Sequence, residues 1–243
     1  MDYSFLQCGE GALTVHLGDG IDPAINRRVT ALQGAIGSAG LRGIIDLIPA
    51  YADLTVCYDC TVISAKALQR QLRRLLDSLS VAGQDRRRVF RLPVCYGGDY
   101  GPDLDFVCHH SGLSAQEVIA LHSAPDYLIY MLGFLPGFAY LGGLDPRLHT
   151  PRLDSPRTCI PAGSVGIGGA QTGVYPLASP GGWQLLGRTP VSVFDRQRQE
   201  PILYRAGDLV HFVPISPAEY EEIAQAVAAG TYTVQVEEVP VCD

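Results

Sequence analysis

The chain opens with apolar positions in short, regular bursts. Phe5 to Gln7 and Ala12 to Leu17 read as two strands of a hairpin across Gly9–Gly11. Asp22-Pro23 supplies an N-cap with Pro at the first helical position. Ile25, Val29, Leu32 and Ile36 follow at helical spacing as far as Gly37 or Gly40. Ile44 to Ile48 and Leu54 to Tyr58 are β-branched runs joined by a turn. Ser64 caps a second helix with Leu68, Leu72, Leu75, Leu76 and Leu79 on one face and charged residues on the other. Val89 to Val94 is expected to close this sheet. Strands with two helices on one face predict a small α+β sandwich.

A break at Tyr96-Gly97-Gly98-Asp99-Tyr100-Gly101-Pro102 marks the expected boundary, giving domains 1–95 and 96–243. Beyond it, Leu104 to His110 reads as a short helix. Ser114-Ala-Gln-Glu117 is a capping box opening a helix to about His122, and Ser216-Pro-Ala-Glu219 is another, opening a helix to about Ala229. Val191 to Phe194, Ile202 to Tyr204, Leu209 to Phe212 and Tyr232 to Val236 read as strands. Many short strands with helices only at the margins predict a closed β-barrel.

Composition changes the picture at one place. Met131 to Pro190 holds 12 of the chain's 27 Gly and 8 of its 17 Pro, interleaved with apolar residues. Its charge is net +2, from Arg147, Arg152, Arg157 and Arg188 against Asp145 and Asp154, inside a chain of net −7. Scarce one-signed charge among glycines suits a pocket for a small anion. The acidic balance argues against nucleic acid. No signal-peptide pattern or run of roughly 20 apolar residues is present, so a cytoplasmic protein without a membrane span is expected. Seven Cys without framework spacing read as reduced thiols; Cys57 and Cys60 are read as buried, and Cys108-His109-His110 lacks a second ligand pair for a metal.

Several residues could carry chemistry. The run from Gly163 to Gly173 fails both the P-loop and the dinucleotide patterns. Its spacing leaves two readings open: a barrel hairpin, or an anion nest of peptide N–H groups with Gln171 and Thr172 as added donors. Arg152 and Arg157 lie on a stretch stiffened by Pro151 and Pro156, apt for gripping a carboxylate or phosphate, although Arg157 could instead pair with Asp154. His122 ends the capped helix, as a terminal hydrogen-bonding group or as a proton carrier. Trp183, the only Trp, walls a pocket or fills the barrel. No complete catalytic set emerges.

Gly133-Phe-Leu-Pro-Gly-Phe-Ala-Tyr-Leu141, the motif from Pro156 to Pro176, and Ser179-Pro-Gly-Gly-Trp183 with Gly187-Arg-Thr-Pro190 closely resemble the allophanate hydrolase subunit 1 family. Tyr96-Gly-Gly, Gly112-Leu-Ser114 and Ala120-Leu-His-Ser123 extend the likeness over essentially the whole chain. The resemblance implies an N-terminal ferredoxin-like domain and a C-terminal cyclophilin-like β-barrel. It implies a subunit of an ATP-dependent 5-oxoprolinase that opens the lactam of 5-oxoproline to L-glutamate, inactive alone. Partners would be a homologous cyclophilin-like C subunit and a separate A subunit, with ATP and Mg held at the complex interface and no cofactor held by this chain alone. On that reading His122, Arg152 and Arg157 are catalytic. Ser164, Gly168, Gly169, Gln171, Thr172, Tyr175 and Trp183 bind the small amide. The same lineage includes inhibitors of a sensor histidine kinase, a non-catalytic alternative.

Overall fold

A computed structural model describes residues 3–79 and 86–240. The chain divides into two compact units, Met1–Asp85 and Arg86–Asp243. The first contains β1 (Ser4–Cys8), β2 (Ala12–His16), α1 (Pro23–Ala39), β3 (Ile44–Pro49), β4 (Asp53–Tyr58) and α2 (Ala65–Asp77). The Asp22 carboxylate accepts from the Ala24 and Ile25 amides, and Gly40 ends α1 in the left-handed region. The strands form one antiparallel sheet in the order β1-β2-β4-β3. Leu13, Val15, Leu54 and Val56 alternate onto one face, where they meet Val29, Leu32, Leu68 and Leu72.

The second unit begins earlier than expected, because Arg86 to Tyr96 leaves the first sheet. This strand, β5 (Arg86–Tyr96), has a nearly continuous buried run over its second half, which a one-sided sheet would leave exposed. It pairs in parallel with β13 (Leu209–Ile215) along one edge. Its other edge is divided between β14 (Gln235–Pro240) and β12 (Gln184–Arg188). The arginines at its start have acidic partners: Arg88 grips Asp208 with bonds of 3.0 and 2.6 Å, and Arg91 grips Glu237. Val89 to Val94, expected to close the first sheet, is absent from it: that sheet is complete as β1-β2-β4-β3.

Following β5 come α3 (Leu104–Ser111), α4 (Ala115–Ser123), β6 (Tyr127–Leu132), β7 (Ala139–Gly142), β8 (Arg157–Ile160), β9 (Ser164–Gly168), β10 (Gln171–Val174) and β11 (Ser179–Gly181). The pairing β12-β9-β10-β7-β6-β13-β5 returns to β12, closing a seven-stranded barrel as the short-strand pattern predicts. Both capping boxes are formed, at α4 and at α5 (Pro217–Ala228). Val191 to Phe194 and Ile202 to Tyr204 are not strands: a single bridge, Phe194 to Ile202, joins them. The closing strand starts at Gln235, three residues later than the expected Tyr232. β8 and β11 form a separate two-stranded ribbon. No described helix is long and apolar enough to cross a membrane. Cys57 is half-buried, but Cys60, Cys8 and Cys159 are exposed thiols, against the buried reading of the Cys57/Cys60 pair.

Candidate functional site

The aromatic residues of the Gly/Pro-rich tract gather beside the β8–β11 ribbon. Phe138 is the hub, edge-on to Phe134, Tyr140, Tyr175 and Trp183 at ring-centre distances of 5.2 to 5.5 Å. Such pairs favour this geometry because the positive edge of one ring meets the negative face of the next. Trp183 can lie there because Gly168 has no side chain; a Cβ at that position would run into the indole. Gly181 serves Tyr175 in the same way, since an added Cβ would stand 2.6 Å from the hydroxyl. These rings, with Pro156, Pro180, Gly182 and Arg152, enclose a cavity of about 320 Å³.

Arg152 is delivered to this cavity by main-chain clamps. Thr150 bridges to Gly169, the Leu153 amide donates to the Gly182 carbonyl at 2.7 Å, and the Gln184 side chain donates through Nε2 to the Pro151 carbonyl. The guanidinium carbon then stands 5.9 Å from the Trp183 ring centre, within range of a cation–π attraction. Among the described residues Arg152 has no carboxylate partner. Its charge is therefore uncommitted at the rim of an apolar hollow.

Arg157 is committed. Its guanidinium donates to Asp103 at 2.7 Å, not to Asp154, and the second Asp103 oxygen accepts from the Leu185 amide. A contact of 3.4 Å to the Trp183 carbonyl completes a strut behind the cavity wall. Burial pushes the Tyr175 hydroxyl up from its ordinary range, opposed by the Trp183 amide and the charges of Arg152 and Arg157.

His122 lies elsewhere, fully buried in the barrel core and stacked on Phe212 at 4.8 Å. The Thr172 hydroxyl donates to the Gly166 carbonyl at 3.0 Å, so it accepts from His122 Nε2–H at 2.7 Å. His122 Nδ1 then accepts from the Tyr96 hydroxyl at 2.8 Å. Both ring nitrogens are satisfied, and desolvation pulls the imidazole down to about 3. Sealed among Tyr96, Thr172 and Phe212, this ring does not line the Arg152 cavity.

The glycine loop resolves to the hairpin reading. Gln171, Thr172, Gly173 and Val174 pair with Gly168, Ile167, Gly166 and Val165. The Gly163 amide donates to Tyr175 and that of Gly169 to Thr150. With these donors spent inside the barrel, the expected nest is not formed. Ser164 is buried at the start of β9, where its carbonyl accepts from the Tyr175 amide. Of the ten residues singled out from sequence, the structure gathers Arg152, Tyr175 and Trp183 around one cavity, with Gly168 under the indole and Arg157 behind the wall. Ser164, Gly169, Gln171, Thr172 and His122 do not line it. Phe134, Phe138 and Tyr140 went unassigned, although their spacing in Gly-Phe-Leu-Pro-Gly-Phe-Ala-Tyr placed several rings on one bend. Asp103 lies in the family-like motif Gly101-Pro-Asp-Leu104 and just before the helix read from Leu104, but neither signal marks it as Arg157's partner.

The chain matches the family model described as carboxyltransferase domain, subdomain C and D, over residues 3–204. It is 42% identical over 228 residues to the B subunit of 5-oxoprolinase from Bacillus subtilis (strain 168), covering 90% of this chain and 95% of that one. It is 45% identical over 207 residues to the B subunit of 5-oxoprolinase from Escherichia coli O157:H7, covering 85% and 93%. These relatives bear out the resemblance read from the motifs. The crystal structure of Kluyveromyces lactis urea carboxylase superposes with a TM-score of 0.82 at 23% identity over 98% of this chain; the chain spans 24% of that one, and the likeness carries the fold alone. Matched along most of its length by that model, and by relatives above 40% identity, the chain belongs to the carboxyltransferase subdomain C and D family.

Proposed function

We propose that the protein is the B-type subunit of a heteromeric ATP-dependent 5-oxoprolinase, acting in the cytoplasm to open the lactam of 5-oxoproline to L-glutamate. The observation that carries this reading is Arg152, a guanidinium without a carboxylate partner among the described residues, at the rim of an aromatic cavity. A five-membered lactam bearing one carboxylate presents that combination of an apolar ring and a single negative charge. Arg152 would take the carboxylate bidentately, and the rings of Trp183, Tyr175 and Phe138 would hold the lactam. Identity above 40% to two chains named as the B subunit of 5-oxoprolinase supports the same reading. The kinase-inhibitor alternative has no comparable support.

ATP supplies the driving force for opening an unactivated amide. Amides of the Gly163–Gly173 hairpin are already bonded, and no group of three metal-ligating side chains occurs among the described residues. We assign ATP and Mg to a separate A subunit or to its interface, with a homologous C subunit as second partner. We also read the first unit as ferredoxin-like, with β1 at the sheet edge, and the barrel as cyclophilin-like. The test is Arg152→Ala in the complex reconstituted with its partners. Losing a charge-assisted bidentate contact of about 2 kcal/mol should lower kcat/KM for 5-oxoproline about 30-fold. Undiminished ATP-dependent glutamate release would remove Arg152 from the site.

A further inference from the structure

Phe134 is the single non-glycine residue with positive φ among the described residues, at +64°. The Leu135 amide donates to the Gly133 carbonyl at 2.7 Å, so Phe134 is the centre of a positive-φ γ-turn. A bulky side chain disfavours that backbone, and its surroundings must impose it. They do: the Gly133 amide donates to the Phe138 carbonyl at 3.1 Å, the Phe138 amide donates to Leu135, and the Tyr204 hydroxyl donates to the Gly137 carbonyl at 2.9 Å. The feet of the bend are fixed while Phe134 itself is left 64% exposed. That ring stands edge-on to Phe138, and Phe134 lines both the Arg152 cavity and a second hollow.

A strained backbone that holds an aromatic ring in water gains nothing for the core. We infer that Phe134 is a specificity-determining wall of the Arg152 cavity, selecting the singly charged five-membered lactam over its open-chain product; this rests on the reading that the cavity holds 5-oxoproline. The physical basis is desolvation. 5-Oxoproline brings one charge, which Arg152 meets, and a ring that Phe134 can cover. L-Glutamate brings an ammonium and a second carboxylate, which lose water against an apolar wall without gaining a partner. The same cover shields the carboxylate–Arg152 pair from solvent and strengthens it.

Trp183 is the chain's only Trp and forms part of the cavity, so its fluorescence reports occupancy. The full chain is titrated with 5-oxoproline and with L-glutamate, in the wild type and in Phe134→Ala, Phe134→Gly and Arg152→Ala. Phe134→Ala should weaken 5-oxoproline about tenfold and glutamate far less, collapsing the preference between them. Phe134→Gly relieves the backbone, so it folds at least as well as the Ala variant and should show the same collapse. An unchanged preference in both Phe134 variants, with binding lost in Arg152→Ala, overturns the wall and leaves the site standing. Unaltered binding in Arg152→Ala overturns the site itself, and a wild type that gives no response to 5-oxoproline overturns both.

Discussion

His122 makes the barrel's stability depend on pH in a way that can be calculated. Its ring is fully buried between the Tyr96 and Thr172 hydroxyls, and desolvation lowers it from 6.5 to about 3. In the unfolded chain it titrates near 6.5. A histidine depressed in the folded state supports folding above the unfolded value, and that support drains away as pH falls from 6.5 toward 3. At pH 5 the unfolded imidazole is protonated in a ratio of about 30 to 1 while the folded one is neutral, which costs about 2 kcal/mol relative to pH 8. The assay is urea unfolding followed by Trp183 fluorescence, which reports the barrel, at pH 8, 6.5 and 5. The perturbation is His122→Gln, an uncharged side chain that keeps one donor and one acceptor. The variant should be less stable at pH 8 but lose about 2 kcal/mol less on going to pH 5, so the two curves converge. Other titrating groups are common to both proteins and cancel in the difference. His16 works in the opposite direction, raised by its hydrogen bond to Asp53, and Asp145, held at about 2 by Arg147, acts only in stronger acid. Parallel curves for wild type and variant would refute the neutral, buried imidazole.

Two further substitutions probe the cavity's construction. Gly168→Ala drives a methyl into the Trp183 ring, and should cost about 2 kcal/mol in the same urea assay and shift the emission maximum of Trp183; an unshifted spectrum would mean that the indole is not seated on Gly168. Arg157→Ala leaves Asp103, whose side chain is 12% exposed, with the Leu185 amide alone; it should cost about 2 kcal/mol of stability while the KM for 5-oxoproline moves less than threefold. A tenfold rise in KM without loss of stability would return Arg157 to direct substrate contact.

Features legible from sequence were those whose cause is local. Asp22-Pro23, Ser114 with Glu117 and Ser216 with Glu219 satisfy their own helix ends, so each is readable within four residues. The barrel was legible as a class, because closure needs many short strands and tight turns. The fate of Arg86 to Tyr96 was not. Its edges are completed by β13, β14 and β12, all distant in the chain, and a lone apolar strand looks alike at the end of one sheet or the start of another. The site divides by the same rule. Arg152 and Trp183 stood out by scarcity, as few charges and one Trp in a turn-rich tract. The commitment of Arg157 depends on Asp103, 54 positions away, and that of His122 on Tyr96 and Thr172, 26 and 50 positions away. Spacing identifies a residue able to grip an anion or carry a proton; only its partner across the barrel decides whether that capacity is already used.

This commitment of partners also fixes what the cavity can contribute to the proposed reaction. Its ionisable lining is Arg152, Tyr140 and Tyr175. Neither a guanidinium nor a phenol is a base at neutral pH, and burial pushes the Tyr175 hydroxyl further from ionising. Asp103 is bonded to Arg157 and to the Leu185 amide and is not among the cavity's walls, while His122 is sealed in the core. Opening a lactam requires an activated water and a protonated leaving nitrogen, and none of the lining groups can take the proton from water. In the proposed reaction the described lining therefore fixes the carboxylate and the ring, and the base comes from outside this cavity. A cavity with one strong positive charge and no base among its described lining is suited to binding an anionic ring compound and leaves the proton transfer to groups beyond its walls.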